Sequence, residues 1–183
     1  MRDKLGPGTT LSYCTNVHAC SSVDDLIESL TLHAAEVRRR VCPGEQLGVG
    51  IWLPARSPRF GEAIGTAVTL LKMSLRNRDR SLARLRAALD DLGLAAVTCN
   101  AFPLYDFHQP VVKHAVYEPD WTSVYRSAHT SARVAMLDEL NPHQRGCSVS
   151  TLPIGWRQGE PADSERREIA AFHLNEAVRF LDR

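Results

Sequence analysis

Apolar positions along the chain alternate between two patterns. Short runs rich in strand-favouring residues are each followed by a longer stretch whose apolar residues recur at helical spacing. Leu11 to His18 (LSYCTNVH) is the first short run, preceded by Gly6, Pro7 and Gly8. Ser21 or Ser22 then stands where a helix cap belongs, with Asp24 and Asp25 in the positive first turn. Val23, Leu26, Ile27, Leu30, Ala34, Val37 and Val41 fall on one helical face, and Pro43-Gly44 stops it. Leu47 to Leu53 (LGVGIWL) is near-continuously apolar, as in a strand covered on both faces.

The pattern then repeats. The spacing predicts helical pieces at about 60–75 and 80–92, the second carrying Leu82, Leu85, Leu89 and Leu92 and ending at Gly93. Leu94 to Ala101 reads as a third strand. A long connection from Phe102 to about Asp120 follows, of a length that compact domains keep for functional loops. Thr122 is the expected cap of a helix running to about Leu140, with Val124, Ala128, Ala132, Ala135 and Met136 inward. Cys147 to Leu152 is a fourth strand. After the loop Pro153 to Ala162, Asp163 or Ser164 opens a last helix with Ile169, Phe172, Ala177 and Phe180 inward. Four βα units without hairpin signals imply an α/β fold with parallel strands near 11–18, 47–53, 94–101 and 147–152, in a single domain over 1–183.

Composition narrows the function classes. With Lys+Arg 22 against Asp+Glu 21, the chain has no global charge to draw it to nucleic acid or an anionic membrane. The basic run Lys72, Arg76, Arg78, Arg80, Arg84, Arg86 lacks aromatic interleaving and reads as a solvated helix face. The longest apolar stretch, Ala63 to Leu71, is broken by Gly65, Thr66 and Thr69, well short of the ~20 residues a membrane span needs. The N-terminus has no signal-peptide core, and five cysteines without a CxxC suit a reduced cytoplasm. Cys14 and Cys99 read as small buried strand residues. GxGxxG after a strand, GK[ST], GxSxG and HExxH are absent.

Parallel α/β proteins bind ligands at the carboxyl ends of their strands, and here those ends are polar. Strand one ends in Asn16 and His18. Strand three ends in Asn100 and leads to Phe102, Asp106 and His108. Strand four ends in Thr151 and leads to Trp156. His18 is open to three functional roles, as metal ligand, acid/base or hydrogen-bond donor, or to plain pairing with loop backbone. Asp106 stands two residues before His108, a spacing that permits an Asp-His pair. Asn16 and Asn100 each suit a ligand hydroxyl or a turn cap. Trp52 and Trp121 read as packing residues.

LSYCTNVHA, LGVGIWLPARS, TCNAFPLYDFH with VKHAVYEPDW, and SVSTLPIGW together resemble the EboE-type metabolite traffic proteins, which are xylose-isomerase-like TIM barrels. The four segments match in order over nearly the whole chain. The resemblance implies half of a (β/α)8 barrel, since a complete one takes about 250 residues and eight strands. It implies a setting in secondary-metabolite traffic, with a small-molecule metabolite as ligand and a second half-barrel or second copy as partner. The alternative it carries is a sugar isomerase or epimerase acting on a sugar or polyol, with His18 and His108 as acid/base. Asn16, Asn100, Phe102, Pro103, Asp106, Thr151, Pro153 and Trp156 would line the rim. Complete barrels of this kind take a divalent metal on acidic residues and histidine; the cofactor of this chain is left open. After His18 the chain has Ala19-Cys20-Ser21 where the family pattern expects a Gly-Glu-like pair, and an unfilled inner sheet face is expected of four strands alone.

Overall fold

The computed structural model describes residues 11–53, 80–104, 107–108, 116–141, 146–154 and 164–179. Four strands, β1 (Ser12–Cys14), β2 (Leu47–Ile51), β3 (Leu94–Asn100) and β4 (Ser148–Ser150), form one parallel sheet in the order β1-β2-β3-β4. The helices are α1 (Val23–Ser29), a π-helical turn at Leu30–Ala34, α2 (Ala35–Val41), α3 (80–91), α4 (Val124–Leu140) and α5 (Ser164–Arg179). The expected α/β class and the four parallel strands are therefore present. The helical piece expected at 60–75 lies outside the described residues.

One face of the sheet carries the main core. Leu26 and Leu30, Leu82, Leu85 and Leu89, and Met136, Leu137 and Leu140 come from three successive crossovers. All join one buried cluster with Val49, Ile51, Leu94, Ala96 and Cys99. The sheet advances one strand at a time with α1, α3 and α4 on a single side, a singly wound arrangement among the described residues.

The opposite face is small and polar. Ser12, Cys14, Gly48, Gly50, Thr98, Asn100, Ser148 and Ser150 alternate with the core residues along their strands. A Cβ on Gly50 would stand 3.1 Å from Thr98 Cγ2 and 3.3 Å from Cys14 Sγ, so these three share a row. The Ser148 hydroxyl extends that row with a 3.0 Å hydrogen bond to Thr98 Oγ1. A bulge sets this division. Val49 pairs with Ala96 but Gly50 with Thr98, leaving Val97 as an extra residue in β3. That insertion keeps Cys99 in the core and turns Thr98 and Asn100 to the polar face. Complete barrels fill their interior with bulky branched residues; this face has none among the residues just named.

Helix ends follow their local chemistry. Ser22 caps α1 in a reciprocal box with Asp25. Gly93 follows α3 with φ 63°, a left-handed position where a Cβ would also strike the Arg38 guanidinium.

Several expectations are corrected. The first strand stops at Cys14, not His18, because Thr15 takes over the pairing with its side chain. Its buried hydroxyl donates to Gly50 O at 3.0 Å and accepts from Trp52 N–H at 3.0 Å, while residues Thr15–Val17 curl into a 3-10 turn. Ser123, not Thr122, caps α4; Thr122 instead bonds Asp120. On α4, Val124, Ala128 and Ala132 are exposed, and the buried side is Arg126, Ser127, Thr130, Val134, Met136, Leu137 and Leu140. On α5, Ile169 and Phe172 are exposed, while Ala170 and Ala177 are buried. Phe180 lies outside the described residues. Cys14 is exposed, since it faces the polar side, whereas Cys99 is buried and burial pushes its thiol up to about 11.

Candidate functional site

At the carboxyl end of the sheet, the segment after β3 folds back over the ends of β1 and β2. Trp52 continues β2 on the polar side and is fully buried. Its indole N–H donates to Pro103 O at 3.1 Å. Phe107 meets it edge-on with ring centres 4.9 Å apart, and His108 lies 5.4 Å away. The His108 imidazole Nε2 donates to Asn16 O at 3.1 Å. The Trp52 platform and this bond bring the third strand's loop onto the first strand's turn.

His18 closes that turn, its backbone N–H bonding Thr15 O at 3.1 Å. The Tyr13 hydroxyl bonds His18 Nε2. Against the His18 ring lies a residue that sequence reasoning did not single out. His33 stacks on it with centres 4.0 Å apart and planes within 8°. His33 belongs to the π-helical turn between α1 and α2. Such turns occur often at functional sites, because the extra residue re-aims a side chain. No composition or spacing signal marks a π turn in LTLHA, so the sequence offered no way to find this residue.

The electrostatics are of one kind. Desolvation lowers the pKa of His18, and the nearby imidazoles of His33 and His108 lower it further. Partial burial raises the Tyr13 phenol. At neutral pH the pair is thus an uncharged imidazole held by an un-ionised phenol, a group able to accept a proton.

Other expected site residues fall elsewhere. Asn100 accepts from Phe102 N–H at 2.9 Å and from Ser150 Oγ at 3.3 Å, which is the turn-capping reading. Phe102 turns away from the imidazoles and packs on Tyr117, with ring centres 5.3 Å apart. It joins the second apolar cluster with Trp121 and Leu152. Thr151 is exposed. Asp106 and Trp156, and with Asp106 the expected Asp106-His108 pair, lie outside the described residues.

Among the described residues, no group of three His, Cys, Asp or Glu side chains is placed to hold a metal ion. The donors among the described residues do not fit the divalent cation of a sugar isomerase, which wants several carboxylate oxygens. No described helix is long and apolar enough to cross a membrane.

Fold and rim together define a singly wound parallel α/β protein with an imidazole-rich carboxyl edge. No protein-family model matches the chain, and neither a curated protein nor a solved structure is similar to it.

Proposed function

We propose that the chain is a metabolite-binding half-barrel of the EboE-like traffic type, which holds a small polar ligand at the carboxyl rim and closes against a second half-barrel or a second copy. The observation that carries the reading is the junction of His18, Asn16, His108 and Trp52 at the carboxyl ends of sequential parallel strands. Ligands of parallel α/β proteins lie there because the strand-to-helix loops converge at that end. The rim offers a polar metabolite the exposed imidazoles of His33 and His108, backed by the buried Trp52 ring.

Titration of the full chain with sugars, polyols and their phosphates, read by tryptophan emission and Tm, tests this. A ligand at the rim perturbs Trp52 through Phe107 and His108, and His108→Ala weakens the response. A panel without any change in emission or Tm defeats the reading.

The enzymatic alternative, a sugar isomerase or epimerase, draws support from the uncharged His18 beside Tyr13. In that reading His18 removes a proton from a carbon next to the ligand carbonyl, and its conjugate acid returns it to the neighbouring or inverted position. Solvent deuterium would enter the ligand in the intact chain and not in His18→Asn. Absence of exchange across the panel leaves binding alone.

A further inference from the structure

Building on that assignment of the rim as a ligand site, we infer that His18, His33 and His108 form a subsite for a phosphate-type oxyanion carried by the ligand. Three imidazoles come from three separate elements: the turn after β1, the π turn, and the loop after β3. His33 and His108 are exposed and His18 is half-buried, so an incoming anion can reach them.

Among the described residues, no negatively charged group acts on His18. Tyr13 faces it from β1, His33 from the π turn, and the charges acting on it are those of His33 and His108. The carboxylates of α1 are directed elsewhere. Asp24 pairs with Arg84 at 2.6 Å, and Asp25 is taken by Ser21 and Ser22. Glu28 is exposed on α1. Two stacked imidazoles repel each other once both are protonated. A dianion between their N–H groups offsets that repulsion and draws protons onto the cluster.

The ring geometry separates an oxyanion from a metal. A metal must lie in the plane of each ligating ring, roughly 2 Å from its nitrogen. Parallel rings with centres 4.0 Å apart have no such common point. Stacked rings that each donate one in-plane N–H can instead reach two different oxygens of one phosphate, each oxygen receiving its own charge-assisted hydrogen bond.

The test is an NMR titration of the histidine Cε1–H resonances in the full chain. It is run in inorganic phosphate, in a polyol phosphate, and in chloride at equal ionic strength. In chloride His18 titrates below the ordinary histidine range. In phosphate the apparent pKa of His18 rises, and the His33 resonance shifts with phosphate concentration at fixed pH. Phosphate binding then tightens by up to about tenfold per pH unit for each proton taken up as pH falls. His33→Asn, a change at an exposed side chain, weakens phosphate binding by roughly tenfold, the loss of one charge-assisted bond. Tighter binding of the polyol phosphate identifies an ester as the ligand, and equal binding identifies the free oxyanion. Identical titration of His18 in phosphate and chloride overturns the inference, as does unchanged phosphate affinity in His33→Asn. A phosphate-linked titration with no tryptophan or Tm response to the unphosphorylated sugars and polyols would defeat the metabolite-traffic reading and leave the oxyanion subsite standing.

Discussion

Two regions of the molecule are packed by different rules. Between the sheet and its first crossovers, the core is aliphatic: Leu26, Leu30, Leu82, Leu85 and Leu89 meet Val49 and Ile51 at helical and strand spacing. Between the start of α4 and α5, small side chains and directed hydrogen bonds carry more of the packing. Arg126 is fully buried and donates to Ala101 O at 2.8 Å and to Pro119 O at 2.9 Å. Trp121 gives its indole N–H to Leu152 O at 3.1 Å, and its own carbonyl accepts from His173 Nδ1 at 2.8 Å. The first region gains stability in proportion to the area it removes from water. The second depends on a few polar bonds that are costly to leave unmade.

Leu85→Ala gives the largest expected loss. It empties a fully buried site between α3 and the sheet, and should cost about 2–5 kcal/mol. A loss below 1 kcal/mol on urea unfolding, on the order of an exposed-site change, would show that the aliphatic region is not the main support. Arg126→Met comes next. It keeps much of the volume but deprives the buried Ala101 carbonyl and the half-buried Pro119 carbonyl of this donor, a cost of roughly 1–3 kcal/mol reduced by removal of a desolvated charge. Equal or greater stability of that variant would mean the second region also works by apolar bulk.

Acid sharpens the contrast further. Burial, helped by Arg133 and Arg126, holds the His129 imidazole down to about 3 from 6.5. The unfolded chain therefore binds a proton at His129 well before the folded chain does. This contribution to stability is intact above pH 6.5 and is lost progressively as pH falls from 6.5 toward 3. His129→Gln should flatten the decline in Tm over that window; an unchanged slope assigns the acid sensitivity elsewhere. The smallest effect is expected on the outer faces. Phe172→Ser, at a side chain 61% exposed, should change stability by less than about 0.5 kcal/mol. A clear loss in Tm would reveal that something covers α5 in solution.

The same two regions differ in how far they could be read in advance. Leucines at three- and four-residue spacing placed the first helices and their inward faces, because burial there follows periodicity alone. The Ser22 cap and the Gly93 stop were equally local. On α4 the alanine stripe misled. Small apolar residues are tolerated on either side of a helix, and the inward side was chosen by Arg126, whose acceptors are 25 and 7 residues away in the chain. The rim was partly legible. Asn16, His18, Asn100 and His108 are where strand ends put them, but Asn100 turns out to serve its own turn. His33 arrives through a π turn that no residue pattern marks.

The chain's own order of apolar and polar residues determined four parallel strands, their crossover helices and a polar carboxyl edge, because those depend on neighbours three or four positions away. Only the tertiary structure decided which polar residues meet. The Val97 bulge turned Thr98 and Asn100 to the polar face, Thr15 ended β1 by bonding β2, and the π turn set His33 on His18. Each is a contact between segments distant in sequence, and its geometry comes from how the elements pack together.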